Sequence, residues 1–140
     1  MWRWLPPILW MVIILILSSD VGSDTTTSRF ILPLLRFLFP GLAPDTYHLV
    51  HTGIRKSWHI AEYGILSLLW ARALAGPRAH WQARHIGGAL CISVFVAIMD
   101  EWHQAFEPSR GASVTDLGID ALGAVLGLVG RWIVRRGDTL

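Results

Sequence analysis

The stretch HIGGALCISVFVAIMDEWHQAF, residues 85–106, decides how the rest of the chain reads. It is apolar through Met99 and turns acidic at Asp100. A bilayer core about 30 Å thick takes roughly 20 apolar residues of helix. This run has that length and keeps its carboxylates at one end. Three other stretches approach it. Leu5 to Leu17 is almost unbroken apolar sequence, with Trp2 and Trp4 ahead of it and Ser18, Ser19 and Asp20 behind. Ile60 to Ala75 carries only Glu62 and Arg72, and Leu117 to Val134 only Asp120 and Arg131, all near the ends. The pattern predicts an all-α, four-helix transmembrane bundle as a single domain over 1–140, with spans at 4–19, 58–76, 84–106 and 115–134. Gly76-Pro77 ends the second span. Pro108, Gly111 and Ser113 mark the turn before the fourth.

Composition agrees. Of 140 residues, 53% are hydrophobic and 16% charged, against about 25% charged in a soluble domain. Mean hydropathy is +0.46. This excludes a disordered chain, a nucleic-acid-binding arm and a disulfide-stapled module. The lone Cys91 sits in an apolar run and is expected to fill space. Arg3 followed by a short apolar core and small residues also fits a cleaved signal peptide. Trp2, Trp4 and Trp10 favour a retained interfacial anchor. Trp58, Trp81, Trp102 and Trp132 lie near span ends, as interfacial anchors do.

Counting Lys and Arg at the span ends, an N-terminus inside places Arg3, Arg72, Arg78, Arg84, Arg131, Arg135 and Arg136 inside. It places Arg29, Arg36, Arg55, Lys56 and Arg110 outside. The positive-inside rule then favours both termini in the cytoplasm.

The segment 28–57, between spans one and two, reads as an interfacial amphipathic or re-entrant element. Pro33 interrupts it, Pro40-Gly41 breaks it, and Asp45 reads as the N-cap of a new helix. From there His48, His51, Arg55, His59 and Glu62 fall at steps of three, four, four and three. That is one polar stripe on a helix running into the second span.

Polar residues gather at the outer ends of spans two, three and four. Arg55, Lys56, His59, Glu62 and Tyr63 come from the second. Asp100, His103 and Gln104 share a face of the third, and Glu101 points elsewhere. Asp116 and Asp120 open the fourth. Carboxylates near bilayer depth are costly, so these must be paired, protonated or facing water. Four readings are open. One is a structural network fixing helix register. Another is a site for an anionic lipid or glycolipid head group, with Arg110, Arg55 and Lys56 holding phosphate. A third is catalysis, with His59 or His103 as base and Asp100 or Asp116 orienting it. The last is a divalent-metal site from Glu62, Asp100, Asp116 and Asp120, although their spacing matches no tight metal motif. No metal or other cofactor is expected. In the fourth span Gly123 and Gly127 form a small-residue pattern. It serves either internal packing, which is favoured, or a homodimer. His80 and His85, in the inner loop, read as solvated or interfacial.

These same residues carry a family resemblance. Arg55-Lys56-x-x-His59-x-x-Glu62-Tyr63, Asp100-Glu101-x-His103-Gln104-x-Phe106-x-Pro108-x-Arg110, Ser113-x-x-Asp116 and Gly123-x-x-x-Gly127 resemble the VanZ-like family of small bacterial membrane proteins. One departure is Asp120, where an uncharged Asn is expected in many relatives. The resemblance implies a multi-span protein of the bacterial cytoplasmic (inner) membrane. It also implies a tie to teicoplanin, the lipoglycopeptide whose low-level resistance is associated with the founding member. The expected function is binding of a lipid-linked or lipid-tailed envelope molecule in an outward-facing pocket. Arg110 and Lys56 would contact its anionic groups, and Arg55, His59, Glu62, Tyr63, Asp100, Glu101, Gln104, Asp116 and Asp120 would shape the pocket. The alternatives are a membrane-embedded hydrolase or transferase, for which no GxSxG or metalloprotease motif is present, and a structural or partner-binding protein.

Overall fold

A computed structural model describes residues 2–19, 23–76, 81–106 and 111–137, with side chains through residue 134. Among them there is no strand, and five α-helices carry the fold. After a 3-10 turn over Trp2–Trp4, α1 spans Leu5–Ser18, with its prolines in the first turn, where a missing N–H costs nothing. Ser19 closes it, its hydroxyl donating to the Ile16 carbonyl at 2.6 Å.

The second helix, α2, covers Asp24–Leu38 and corrects the expected element in two ways. It starts before residue 28, because the Ser23 side chain accepts from the Thr26 amide and caps it. It also continues through Pro33, forgoing the one hydrogen bond that the ring nitrogen cannot donate. Phe30, Leu34, Phe37 and Leu38 lie exposed on it, and Leu35 is buried.

Gly41, at a φ of 101°, turns the chain into α3, Pro44–Ala75. Ala43, not Asp45, is the N-cap. Pro44 takes the first helical position, for which its fixed φ is suited, and this moves Asp45 into the first turn. The Tyr47 hydroxyl donates to the Phe39 carbonyl at 2.7 Å and ties the two helices together at this corner. With 32 residues at about 1.5 Å each, α3 is longer than a bilayer core is thick. It holds the whole His48-to-Glu62 stripe on one continuous helix.

The fourth helix, α4, is Ala83–Ala105. Gln82 and His85 cap it reciprocally, the Gln82 amide donating to His85 Nδ1 at 3.2 Å; His85 is therefore engaged in a cap rather than simply solvated. The fifth, α5, is Val114–Gly137, and the Ser113 hydroxyl accepts from the Asp116 amide at 3.2 Å.

The helix α3 is the axis of the molecule, contacting every other helix. It runs antiparallel to α1 and α4 and parallel to α5, whose Gly123 lies on Ile60 and whose Gly127 lies on Gly64. The face that Gly123 and Gly127 offer is thus filled within one chain. Tyr63, Leu66, Val96, Ala97, Ala124 and Ile14 form the main core. Outward-facing residues are apolar on α1, α4 and α5, including Val12, Ile16, Phe95, Ile98, Val125 and Val129. Two helical stretches, Ala83–Ala105 and Val114–Val134, are long and apolar enough to cross a membrane, and Trp2–Ser18 is apolar but shorter. Cys91 is exposed, contrary to its expected place in the packing. It lies on the outward side of α4, so it fills no space between helices.

Candidate functional site

The polar stripe of α3 forms one wall of a cleft of about 220 Å³. Arg55, Trp58, His59 and Glu62 come from α3, Ser18 from the end of α1, Thr27 from α2 and Asp100 from α4. Ile14, Leu17, Ile31 and Ile54 supply an apolar wall. The cleft is therefore largely apolar, with a few hydrogen-bond acceptors among its lining residues.

Its polar side is tied across helices. Gln104 donates from Nε2 to Asp100 Oδ2 and to the Ser18 hydroxyl, each at 3.0 Å. Trp58 Nε1 donates to Glu62 Oε1 at 2.8 Å, and Trp10 Nε1 to the Glu62 carbonyl at 2.9 Å. His59 Nδ1 lies 3.1 Å from Asp120 Oδ1. Asp120 is wholly buried, and His59 keeps about a fifth of its side chain exposed. With the proton on Nδ1 facing a carboxylate, Nε2 is left as the basic nitrogen. Asp100 Oδ1, Asp120 Oδ2 and the Tyr63 hydroxyl are buried without a hydrogen-bond partner. Tyr63 lies beside Asp100.

The other predicted residues divide. Glu101 points away from the cleft but is buried, its Oε2 accepting from the Ser113 amide at 2.7 Å. It secures the start of α5 and does not line the cleft. Asp116 is half-buried in the first turn of α5 and Lys56 half-buried on α3, both off the cleft. His103 is exposed and is not among the lining residues. Arg110 and Pro108 lie outside the described residues. Among those described, no three His, Cys, Asp or Glu side chains gather as metal ligands.

A latch missed by the sequence reading joins α2 to α3 beside the cleft. Arg55 Nη1 donates to Asp24 Oδ1 at 2.9 Å. His51, 1% exposed, places Nδ1 3.4 Å from the same oxygen and Nε2 3.2 Å from the Thr27 hydroxyl. Burial holds the His51 imidazole below its ordinary range; Asp24 opposes this, and Arg55 and His48 add to it. A lowered folded pKa means that the opened latch binds the proton more readily. The latch is thus full strength above about pH 6.5 and weakens as pH falls. Hydrogen exchange at the α2 amides, corrected for intrinsic rate, is expected to speed up between pH 7.5 and 5.5, and His51→Gln to remove that dependence. Equal protection at both values would show that His51 does not hold the latch.

A family model described as VanZ/LLP1 matches residues 4–135, nearly the whole chain. No curated protein and no solved structure matches it.

Proposed function

The chain belongs to the VanZ/LLP1 family, and from that premise we propose that it holds the head of a lipid-linked or lipid-tailed envelope molecule in the cleft between α1, α2, α3 and α4. One observation carries this reading. The cleft sets apolar side chains (Ile14, Leu17, Ile31, Ile54) beside polar ones (Ser18, His59, Glu62, Asp100), which matches a molecule with a tail and a polar head. In this reading α1, the second half of α3, α4 and α5 are the four spans of a protein in the bacterial cytoplasmic membrane. Arg3 and Arg72 share one groove at the end opposite the cleft, and Arg131 stacks on Trp81 near the start of α4. The positive-inside rule then favours that end on the cytoplasmic side, with the cleft toward the outer leaflet. Family membership supports a tie to glycopeptide susceptibility, which this reading places in a lipid-tailed ligand.

Native mass spectrometry from a mild detergent tests it, with wild type beside Ile54→Trp and Glu62→Gln. Ile54 is 42% exposed at the cleft rim, so a larger ring there obstructs the cleft without disturbing the core. A lipid adduct present in wild type and absent from Ile54→Trp, at unchanged melting temperature, is the expected outcome. Identical adducts in both, or none in either, would end the reading.

The Asp120–His59 pair favours one second reading, a hydrolase or transferase acting on the same head group. Asp120 orients the ring and His59 Nε2 serves as general base, a contribution of roughly 10²–10⁴ in rate. Its sign is a mass change in the added lipid that His59→Gln abolishes while the adduct itself is retained.

A further inference from the structure

We infer that the head group taken by the cleft is a primary ammonium, not a phosphate; this rests on the cleft being a lipid site at all. The charges on its walls decide the sign. Glu62 and Asp100 line it at 5% and 1% exposure, and Asp120 stands behind His59. Among the described residues, the cations that line it are already engaged. Arg55 is paired with Asp24 at 2.9 Å, and His59 is paired with Asp120 at 3.1 Å. Among the described residues the lining therefore carries more acidic groups than unpaired basic ones.

The hydrogen-bonding inventory agrees independently. Asp100 Oδ1 is buried at the cleft without a hydrogen-bond partner. A buried carboxylate oxygen with no partner is costly. A group that supplies N–H donors and a positive charge satisfies both deficits. An alcohol satisfies only the first. A phosphate adds acceptors and negative charge where both are already in surplus. An ammonium head has three donors, enough for Asp100 Oδ1 and a Glu62 oxygen. The chain behind it would follow Ile14, Leu17, Ile31 and Ile54.

Three probes of equal tail length separate these cases: hexadecylamine, hexadecanol and hexadecyl phosphate. Each is titrated into the full-length protein in a neutral maltoside detergent, and adducts are read by native mass spectrometry. Only the binding lost in Ile54→Trp counts as binding at the cleft, which leaves out the arginine groove at the opposite end. The amine is expected to bind on the order of tenfold more tightly than the alcohol. Asp100→Asn is expected to erase that preference. If Asp100→Asn does not fold, Glu62→Gln is read in its place with a reduced amine preference expected. Alcohol binding equal to the amine, tighter phosphate binding, or an amine preference untouched by the variant overturns the ammonium inference and leaves the cleft standing as a lipid site. No cleft binding by any of the three overturns the lipid site itself.

Discussion

Gly123→Ala is expected to destabilise the chain as strongly as Gly127→Ala and far more than alanine at Gly118 or Gly130 on the same helix. A Cβ built at Gly123 falls 2.5 Å from the Ile60 carbonyl oxygen and 2.8 Å from Ile60 Cα. At Gly127 it falls 2.5 Å from the Gly64 carbonyl oxygen. These neighbours are backbone, so no side chain can swing aside. The two helices must separate, and the Ser67 hydroxyl that donates to the Ala124 carbonyl at 2.9 Å loses its reach. Overpacking of this kind costs about 1–3 kcal/mol and sometimes more, and Gly123→Leu is expected at or beyond the upper end. Gly118 and Gly130 on the same helix have nothing within 4 Å of such a Cβ. Alanine there is expected to be neutral or to add about 0.5–1 kcal/mol of helix stability. Thermal unfolding and size-exclusion profiles in detergent distinguish the two groups. If Gly123→Ala melts with Gly118→Ala, or converts a dimer into a folded monomer, the close approach of α3 to α5 is not what these glycines serve.

The sequence made the helices legible wherever one physical signal dominated. The apolar runs that became α4 and α5 needed only length. The three- and four-residue steps from His48 to Glu62 implied a single continuous helix, and α3 is one. What failed depended on angle or on contacts distant in sequence. Successive helical residues turn by about 100°. From Asp100, Gln104 is therefore displaced by about 40° one way, Glu101 by about 100° the same way and His103 by about 60° the other. The buried sector of α4 covers Asp100, Gln104 and Glu101, and His103, on the other side of Asp100, is exposed. The start of α2 was hidden because Thr25, Thr26 and Thr27 read as loop until Ser23 is seen to cap them. Ser18 passed for the small-residue end of a hydrophobic run. Its role with Gln104 spans 86 positions, and no local pattern announces it. Asp24, 31 positions from Arg55, was invisible for the same reason.

His59→Leu is expected to be the most damaging side-chain substitution in the site, and replacing its partner as well is expected to repair part of the damage. Asp120 is wholly buried, and among the described residues His59 is the hydrogen-bond partner of its side chain, through Oδ1; Oδ2 has none. Removing the imidazole leaves a carboxylate with no donor in a low-dielectric interior. Breaking a buried pair from one side costs about 3–5 kcal/mol, whereas an apolar replacement of both partners is often close to neutral. His59→Leu/Asp120→Leu is therefore expected to be more stable than His59→Leu alone, with a coupling of about 1–3 kcal/mol between the sites. Asp120→Asn separates charge from geometry. Its amide oxygen still accepts from His59 Nδ1, so stability is expected to change by less than about 1.5 kcal/mol, while a rate that depends on a charged orienting group falls. A double variant whose destabilisation equals the sum of the two single ones would show no energetic link between His59 and Asp120. The 3.1 Å approach would then be a contact without consequence for the fold, and the catalytic reading would lose the group that orients its base.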